Sequence, residues 1–266
     1  MPYQKIGLLV GAIVVIIGGL YAVSLFTKTD DGSGIVTLPD GTSTTTTKGP
    51  GYTIELVGET SLLDLAPDLD RGIRFGSSVP EDFKALLMKR MENTVTALKK
   101  DPSQPGEWLD LAIWYHTASD FEGAREVWEF LIKVAPQDTT AYDNLGRMYH
   151  YDLKEFAKSE PYFLESKKIR PDALPPYIEL FQLYSLSYKK GTSAAVDIMK
   201  EAQAKYPTDA GLYFTLAVYY RDRGDLTNAR AELLKALDLA RQADNIELIK
   251  QLNEEIAKLP YVQPNQ

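Results

Sequence analysis

Residues 108–149 read WLDLAIWYHTASDFEGAREVWEFLIKVAPQDTTAYDNLGRMY, and one residue pattern occurs at both ends of this stretch. An aromatic residue, a Leu, a small residue and a second aromatic residue recur 34 positions later. The two copies are Trp108, Leu111, Ala112, Tyr115 and Tyr142, Leu145, Gly146, Tyr149. The spacing places the four side chains on one face of a helix. Between the copies, Ala124 and Trp128 indicate a second helix, and Pro136 closes the unit.

The same pattern continues twice more along the chain. Its later copies are Tyr177, Leu180, Phe181, Tyr184 and Tyr213, Leu216, Ala217, Tyr220. The second repeat, which begins at Tyr142, matches the pattern if the loop between its two helices carries one extra residue. The third repeat, which begins at Tyr177, matches it with about two extra residues near Lys190 and Gly191. Phe181 stands where the other copies have a small residue, which predicts wider helix packing there.

This pattern resembles the tetratricopeptide repeat (TPR), whose period and signature residues it shares. The resemblance covers about residues 81–259 and implies an all-α, right-handed helical solenoid. One hairpin cannot bury its apolar face alone, so stacked copies close a core and expose a concave surface. We expect a capping helix at 80–104, about four repeats at 105–241, a C-terminal capping helix at 242–260 and a tail at 261–266.

A second strong signal is the uncharged run IGLLVGAIVVIIGGLYAVSLF at residues 6–26. Its length predicts a single transmembrane helix, preceded by a short tail at 1–5. Lys5 and the terminal amine precede the run, whereas Lys28, followed by Asp30 and Asp31, lies after it, so the two sides differ by one positive charge. The charge bias favours a cytoplasmic N-terminus and an external repeat domain, as in a single-pass protein of the bacterial cytoplasmic membrane.

Two alternatives remain open for this segment. A cleaved signal peptide would have a shorter apolar region followed by a cleavage site with small residues. Ala22-Val23-Ser24 matches such a site. Gly7 and Gly11 form a GxxxG pair through which two spans could pack as a homodimer, although glycines are common in spanning helices.

The chain between this run and the repeats divides into two parts. Residues 27–50 are rich in Gly, Thr, Ser and Asp, which predicts a flexible linker. Residues 51–79 are too apolar for a linker and too broken by Gly and Pro for a helix, so we expect an extended segment that packs on the solenoid.

Composition excludes several functional classes. The net charge of −8 argues against nucleic acid as a partner, because phosphate binding needs a basic face. The absence of cysteine excludes disulfides and thiolate metal sites. The chain has no HExxH, GxxxxGK[ST] or GxGxxG motif. We therefore predict a protein that is not an enzyme and that has no cofactor and no metal site.

The resemblance also implies which residues line the concave groove, since certain first-helix positions commonly do so in this family. These residues are Leu109, Ile113, His116, Asp143, Arg147, His150, Tyr151, Ile178, Gln182, Phe214, Val218 and Arg221. Apolar patches beside Arg147 and Arg221 suit an extended or helical peptide with apolar anchors and acidic groups. Both histidines are expected to be polar groove residues, and Glu232 is expected to lie exposed outside the groove.

The functional prediction is a membrane-anchored scaffold that docks a peptide or protein partner in this groove and supports assembly of an envelope complex. The alternative is a structural spacer or homo-oligomer with no client in the groove.

Overall fold

The protein is described by a computed structural model that covers residues 65–260 in full and, between residues 11 and 56, the backbone of five β-strands. The chain divides into two compact units, residues 1–145 and residues 146–266, and each is described by itself. The predicted tails at 1–5 and 261–266 lie outside the described residues.

The five strands form one antiparallel sheet in chain order. They are β1 (Gly11–Ile17), β2 (Leu20–Lys28), β3 (Gly34–Thr37), β4 (Ser43–Gly49) and β5 (Tyr52–Leu56). Over residues 11–17 and 20–26 the structure therefore differs from the membrane helix expected at 6–26, and over residues 27–28, 34–37 and 43–49 it differs from the flexible linker expected at 27–50. The sequence offers a reason, because β1 is rich in Val and Ile and β4 in Thr, and β-branched residues favour strands.

The structure does not describe every residue of the predicted membrane helix. Residues 1–10 and 18–19 lie outside the described residues, and Gly7 is among them. In the described part of the chain, no helix has both the length and the hydropathy that a bilayer crossing requires.

Ten α-helices follow in the described residues. They are α1 (Glu81–Lys100), α2 (Pro105–Thr117), α3 (Phe121–Val134), α4 (Thr139–Arg147), α5 (Phe156–Ile169), α6 (Pro175–Gln182), α7 (Ala194–Lys205), α8 (Ala210–Asp222), α9 (Leu226–Gln242) and α10 (Ile246–Lys258). A π-helical turn continues α4 over Met148–Asp152, and another continues α6 over Leu183–Ser187. Several helices begin at side-chain caps, for example Asp225, which accepts a hydrogen bond from the backbone N–H of Asn228 at 3.1 Å.

A contact between the first aromatic of a repeat and a preceding proline recurs in the structure. The side chain donates to the carbonyl of the proline six residues earlier, from Trp108 to Pro102 at 2.8 Å, from Tyr177 to Pro171 at 2.9 Å and from Tyr213 to Pro207 at 3.4 Å. Each bond connects the start of a first helix to the turn before it. This contact explains why an aromatic residue recurs six residues after a proline in these repeats.

In the first unit, an extended segment at 66–79 packs against α2 and α3. The Arg71 guanidinium makes a two-pronged ion pair with Asp120, at 2.8 and 2.9 Å, and Asp120 also accepts from the backbone N–H groups of Arg74 and Gly123. Burial raises the pKa of Asp120, but these hydrogen bonds outweigh it and hold that pKa below the ordinary value. A buried, charge-assisted pair of this geometry contributes about 1.5–3 kcal/mol.

The same segment is fixed further along by close packing. The backbone N–H of Gly76 donates to the carbonyl of Ala118 at 2.9 Å, and a Cβ at Gly76 would lie only 2.6 Å from the Cβ of Ser119. Val79 joins Leu87 of α1 and Ala118 in a small apolar cluster. Residues 66–79 are therefore an integral part of the first unit.

In the second unit, close helix approach explains Gly146. A Cβ at Gly146 would lie 2.5 Å from the ring of Phe163 in α5, and Ser159 donates to the Gly146 carbonyl at 2.7 Å. The expectation for Glu232 was wrong: this residue of α9 is 8% exposed, and its carboxylate accepts from Gln203 at 2.9 Å and pairs with Lys200. The two partners on α7 compensate for burial of the charge.

The π-helical turns explain the extra residues of the second and third repeats. A residue with positive φ ends each first helix, eleven residues after the first aromatic in repeats one and four but twelve in repeats two and three. These residues are Ser119, Gly224, Lys154 and Lys189. A π-helical turn absorbs one extra residue into a helix, as the bonds from Leu153 to Met148 and from Tyr188 to Leu183 show. One extra residue thus lies inside each helix and not in the loop where we placed it.

Candidate functional site

In the described residues of the second unit, seven predicted groove residues have solvent-accessible side chains on its first helices. They are Tyr151, Ile178, Gln182, Phe214, Val218 and Arg221, with Arg147 at the end of α4. We call this surface the first-helix face. In the first unit, Ile113 is exposed, while Leu109, His116 and Asp143 are half-buried. His116 there packs against the rings of Phe121 and Trp128, each at 5.6 Å between centroids.

One end of the first-helix face is a polar network centred on Glu179 of α6. Arg147 Nε donates to Glu179 Oε1 at 2.7 Å, and the Tyr151 hydroxyl lies 3.1 Å from Glu179 Oε2 and 2.5 Å from Gln182 Oε1. Burial, and then the negative charge of Glu179, raise the pKa of Tyr151 to about 12. Tyr151 is therefore a neutral hydrogen-bonding group at any physiological pH.

The second arginine of the predicted groove is paired as well. Arg221 Nη1 lies 2.5 Å from a carboxylate oxygen of Glu255 in α10, and its other nitrogens lie 2.9 and 3.0 Å from Asp222. Arg147 and Arg221 thus have carboxylate partners within the chain. The expectation that they recognise acidic groups of a partner is weakened, since a partner would first have to displace these carboxylates.

The groove assignment of His150 was wrong. This side chain is 2% exposed, its Nε2 lies 2.9 Å from the Ser187 hydroxyl, and its ring stacks on Tyr151 at 4.1 Å. His150 lies inside the π-helical turn, where the extra residue turns it away from the direction that a regular α-helix would give. Burial lowers its pKa below the ordinary value of 6.5.

The other end of the first-helix face contains an apolar cleft of about 270 Å³. Its lining comes from α6, α8 and the π-helical turn after α6: Phe181, Ser185, Leu186, Phe214, Thr215, Val218, Tyr219, Asp222 and Arg223. Phe181 and Tyr219 form the wall, with ring centroids 5.6 Å apart in an edge-to-face arrangement. Leu186 at the rim is 64% exposed, so the apolar surface of the cleft continues onto the open face.

The cleft lies at the one repeat that has Phe181 in place of a small residue. The corresponding positions in the other repeats hold Ala112, Gly146 and Ala217, which allow close helix approach. The Phe181 ring is larger than these side chains and lies in the cleft lining.

Sequence reasoning missed three charged residues of this surface: Glu179, Arg223 and Glu255. Glu179 and Glu255 pair with arginines 32 and 34 positions before them. Arg223 follows the last residue of α8 and lies in the cleft lining because the π-helical turn brings the Ser185 carbonyl within 3.0 Å of its Nη2. The sequence analysis assigned the extra residue to a loop and so did not predict the π-helical turn that positions Arg223.

Comparison with known proteins agrees with the repeat assignment. Two family models, both described as tetratricopeptide repeat, match residues 109–173 and 210–242. No curated protein matches the chain by sequence.

Similar solved structures include MamA, with 17% identity, a TM-score of 0.48, and coverage of 65% of this chain and 99% of MamA. TTC0263, a TPR protein of Thermus thermophilus, has 20% identity and a TM-score of 0.42 over 66% of this chain and 94% of its own. PilW, a type IV pilus biogenesis factor, has 19% identity and a TM-score of 0.40 over 70% and 97%. Over residues 109–173 and 210–242, the chain is therefore similar in sequence to tetratricopeptide repeats.

Proposed function

We propose that this protein is a membrane-attached interaction scaffold that docks a protein or peptide partner on the first-helix face of its second unit and supports assembly of an envelope complex. The apolar cleft beside the exposed Leu186 is the observation that carries the proposal. Stacked repeats of this kind form extended binding surfaces.

The cleft has the size of an anchor site for a side chain. A dry cavity of about 150 Å³ holds a benzene molecule, so about 270 Å³ suits one aromatic or two aliphatic side chains of a partner. Small-molecule sites are usually larger, at about 300–1,000 Å³. Interface hot spots typically lie where a side chain fills such a pocket and excludes water.

Pairing of the nearby charges supports the same function. Arg147 and Arg221 are neutralised by Glu179 and Glu255, so most of the free energy of binding would come from apolar burial at the cleft. The ion pairs would then form a polar rim around it, as in other protein interfaces. No catalytic step is part of this proposal.

Photo-crosslinking in membranes of the native organism tests the proposal. A benzophenone amino acid replaces Leu186, and a control replaces the exposed Lys235 on the second helix of the fourth repeat. We expect capture of a distinct protein from position 186 only. Val218→Trp, which fills the cleft, should abolish this capture while thermal unfolding shows that the chain stays folded.

The same experiment decides between the proposal and a spacer or homo-oligomer. Capture of the chain by itself from position 186 would support the homo-oligomer, in line with the alternative pairing through Gly7 and Gly11. Equal capture from both positions, or capture that survives Val218→Trp, would rule out the cleft as a docking site.

A further inference from the structure

The rim of the cleft carries one arginine that differs from the other two. Arg223 Nη2 donates to the Ser185 carbonyl at 3.0 Å, and its Nη1 lies 3.5 Å from the Tyr219 carbonyl. Its guanidinium carbon lies 3.6 Å from the centroid of the Tyr219 ring. Within the described residues, these partners are neutral groups, whereas Arg147 and Arg221 each pair with a carboxylate.

The stacking gives Arg223 a fixed position. A guanidinium stacked on an aromatic face keeps its N–H groups in the plane parallel to the ring, and its charge is less hydrated than an ammonium. The Ser185 carbonyl that orients it belongs to the π-helical turn, whose Leu186 forms the apolar rim. A positive charge and an apolar pocket are thus held side by side.

The adjacent acid does not neutralise this charge. Asp222 also lines the cleft, but its carboxylate is bonded to Arg221 at 2.9 and 3.0 Å, and Arg221 is shared with Glu255. Glu255 also pairs with Lys258 at 2.7 Å, so Arg221 and Lys258 together balance Asp222 and Glu255, and the positive charge left over beside the cleft is that of Arg223. A bound partner gains most if it supplies a carboxylate there, because charge-assisted bonds to a guanidinium are stronger than neutral ones.

We propose that the cleft selects peptide segments in which a bulky apolar residue inserts between Phe214 and Tyr219 while an Asp or Glu within two positions of it pairs with Arg223. This inference rests on the proposed function and specifies the chemistry of its partner. The apolar residue supplies affinity, and the carboxylate supplies specificity and register.

The test uses the full chain in detergent micelles and a displayed library of random nonapeptides as the probe. We expect the selected peptides to contain Phe, Trp, Leu or Met with Asp or Glu one or two positions away. With Arg223→Glu as the target, the preference at those positions should change to Lys or Arg. With Arg223→Gln, the apolar preference should remain and the acidic preference should disappear.

Binding of two selected peptides then measures the coupling energy between Arg223 and the acidic residue of the peptide. Replacement of the acidic residue by Gln should weaken binding to the natural chain about fivefold, the scale of an exposed ion pair, and leave binding to Arg223→Gln unchanged. Apolar enrichment without an acidic preference, or an acidic preference that Arg223→Glu leaves in place, would overturn the inference and leave the proposed function standing. Absence of any enrichment over Val218→Trp would overturn both. Thermal unfolding of each variant shows that the repeats are intact.

Discussion

At the scale of single residues, His150 is a buried titratable group whose environment opposes its charged form. Its ring contacts Tyr151 and Phe156, and its Nε2 lies against the Ser187 hydroxyl. Among the neighbouring charges, Glu179 favours the imidazolium and Lys154 disfavours it, but burial dominates and lowers the pKa of His150 below 6.5. The folded protein therefore holds the neutral ring.

This environment predicts the direction of a pH dependence. Because folding lowers the pKa of His150, its contribution to stability is complete above the unfolded value of 6.5 and is lost as the pH falls through that value toward the folded one. We expect the free energy of unfolding, measured in urea, to decrease from pH 8 to pH 5. His150→Gln should keep the bond to Ser187, cost about 1 kcal/mol at pH 8 and reduce the pH dependence.

His116→Gln provides the matched control, since it removes the other histidine of the chain. His150 and its contacts with Ser187 and Tyr151 are intact in this variant, so the part of the pH dependence that His150 contributes should remain. A pH dependence that persists unchanged in His150→Gln would show that carboxylates control stability in this range.

At the scale of elements, the π-helical turns predict which deletions the fold tolerates. Deletion of the exposed Asp152 should convert the turn of the second repeat to regular α-helix and leave the flanking residues in register. We expect helical circular dichroism to be retained and the free energy of unfolding to fall by about 1 kcal/mol.

Deletion of Thr117 is the matched control in the first repeat. This residue is also exposed at the end of a first helix, but α2 has no extra residue to lose. The deletion should pull Ala118 and Asp120 out of their contacts with residues 71–76 and cost about 3 kcal/mol or more. Equal costs for the two deletions would contradict our interpretation of the π-helical turns.

The same elements show what the sequence could and could not predict. Trp108, Tyr177 and Tyr213 each make a hydrogen bond to the carbonyl of a proline six residues earlier. Because such a local bond requires a fixed spacing, the repeat could be predicted from the sequence. The burial of His150 and the placement of Arg223 depend on a helix that changes its number of residues per turn. Period counting detects the extra residue but cannot say whether a helix or a loop absorbs it.

Longer-range pairs are the other class that sequence reasoning missed. Arg71 and Asp120 are 49 positions apart, and nothing in the repeat pattern relates a residue outside the repeats to a helix cap inside them. Sequence hydropathy indicated that residues 51–79 pack on the repeats but not through which contacts. Such pairs are visible only once the tertiary structure is known.

At the scale of the whole molecule, membrane attachment through residues 6–26 is a proposal that rests on the uncharged sequence. The edge strands of an open β-sheet in lipid would leave backbone groups without hydrogen bonds, so insertion would require residues 6–26 to be helical. Two charges near the centre of a spanning helix cost about 5–7 kcal/mol, at about 2.5–3.5 kcal/mol each. Val15→Lys with Ile16→Glu should therefore release the chain from membranes on alkaline extraction.

Thr44→Lys with Thr45→Glu introduces the same charges outside the apolar run and should leave the chain in the membrane fraction. Because the chain has no cysteine, a single introduced Cys reports topology without background. If the N-terminus lies inside, as we propose, a membrane-impermeant maleimide should label Ser43→Cys in intact cells and should label Gln4→Cys only after the cells are opened. Labelling in the opposite order would place the repeats in the cytoplasm and their partner with them, whereas release of both charge variants on extraction would show that residues 6–26 are not an anchor.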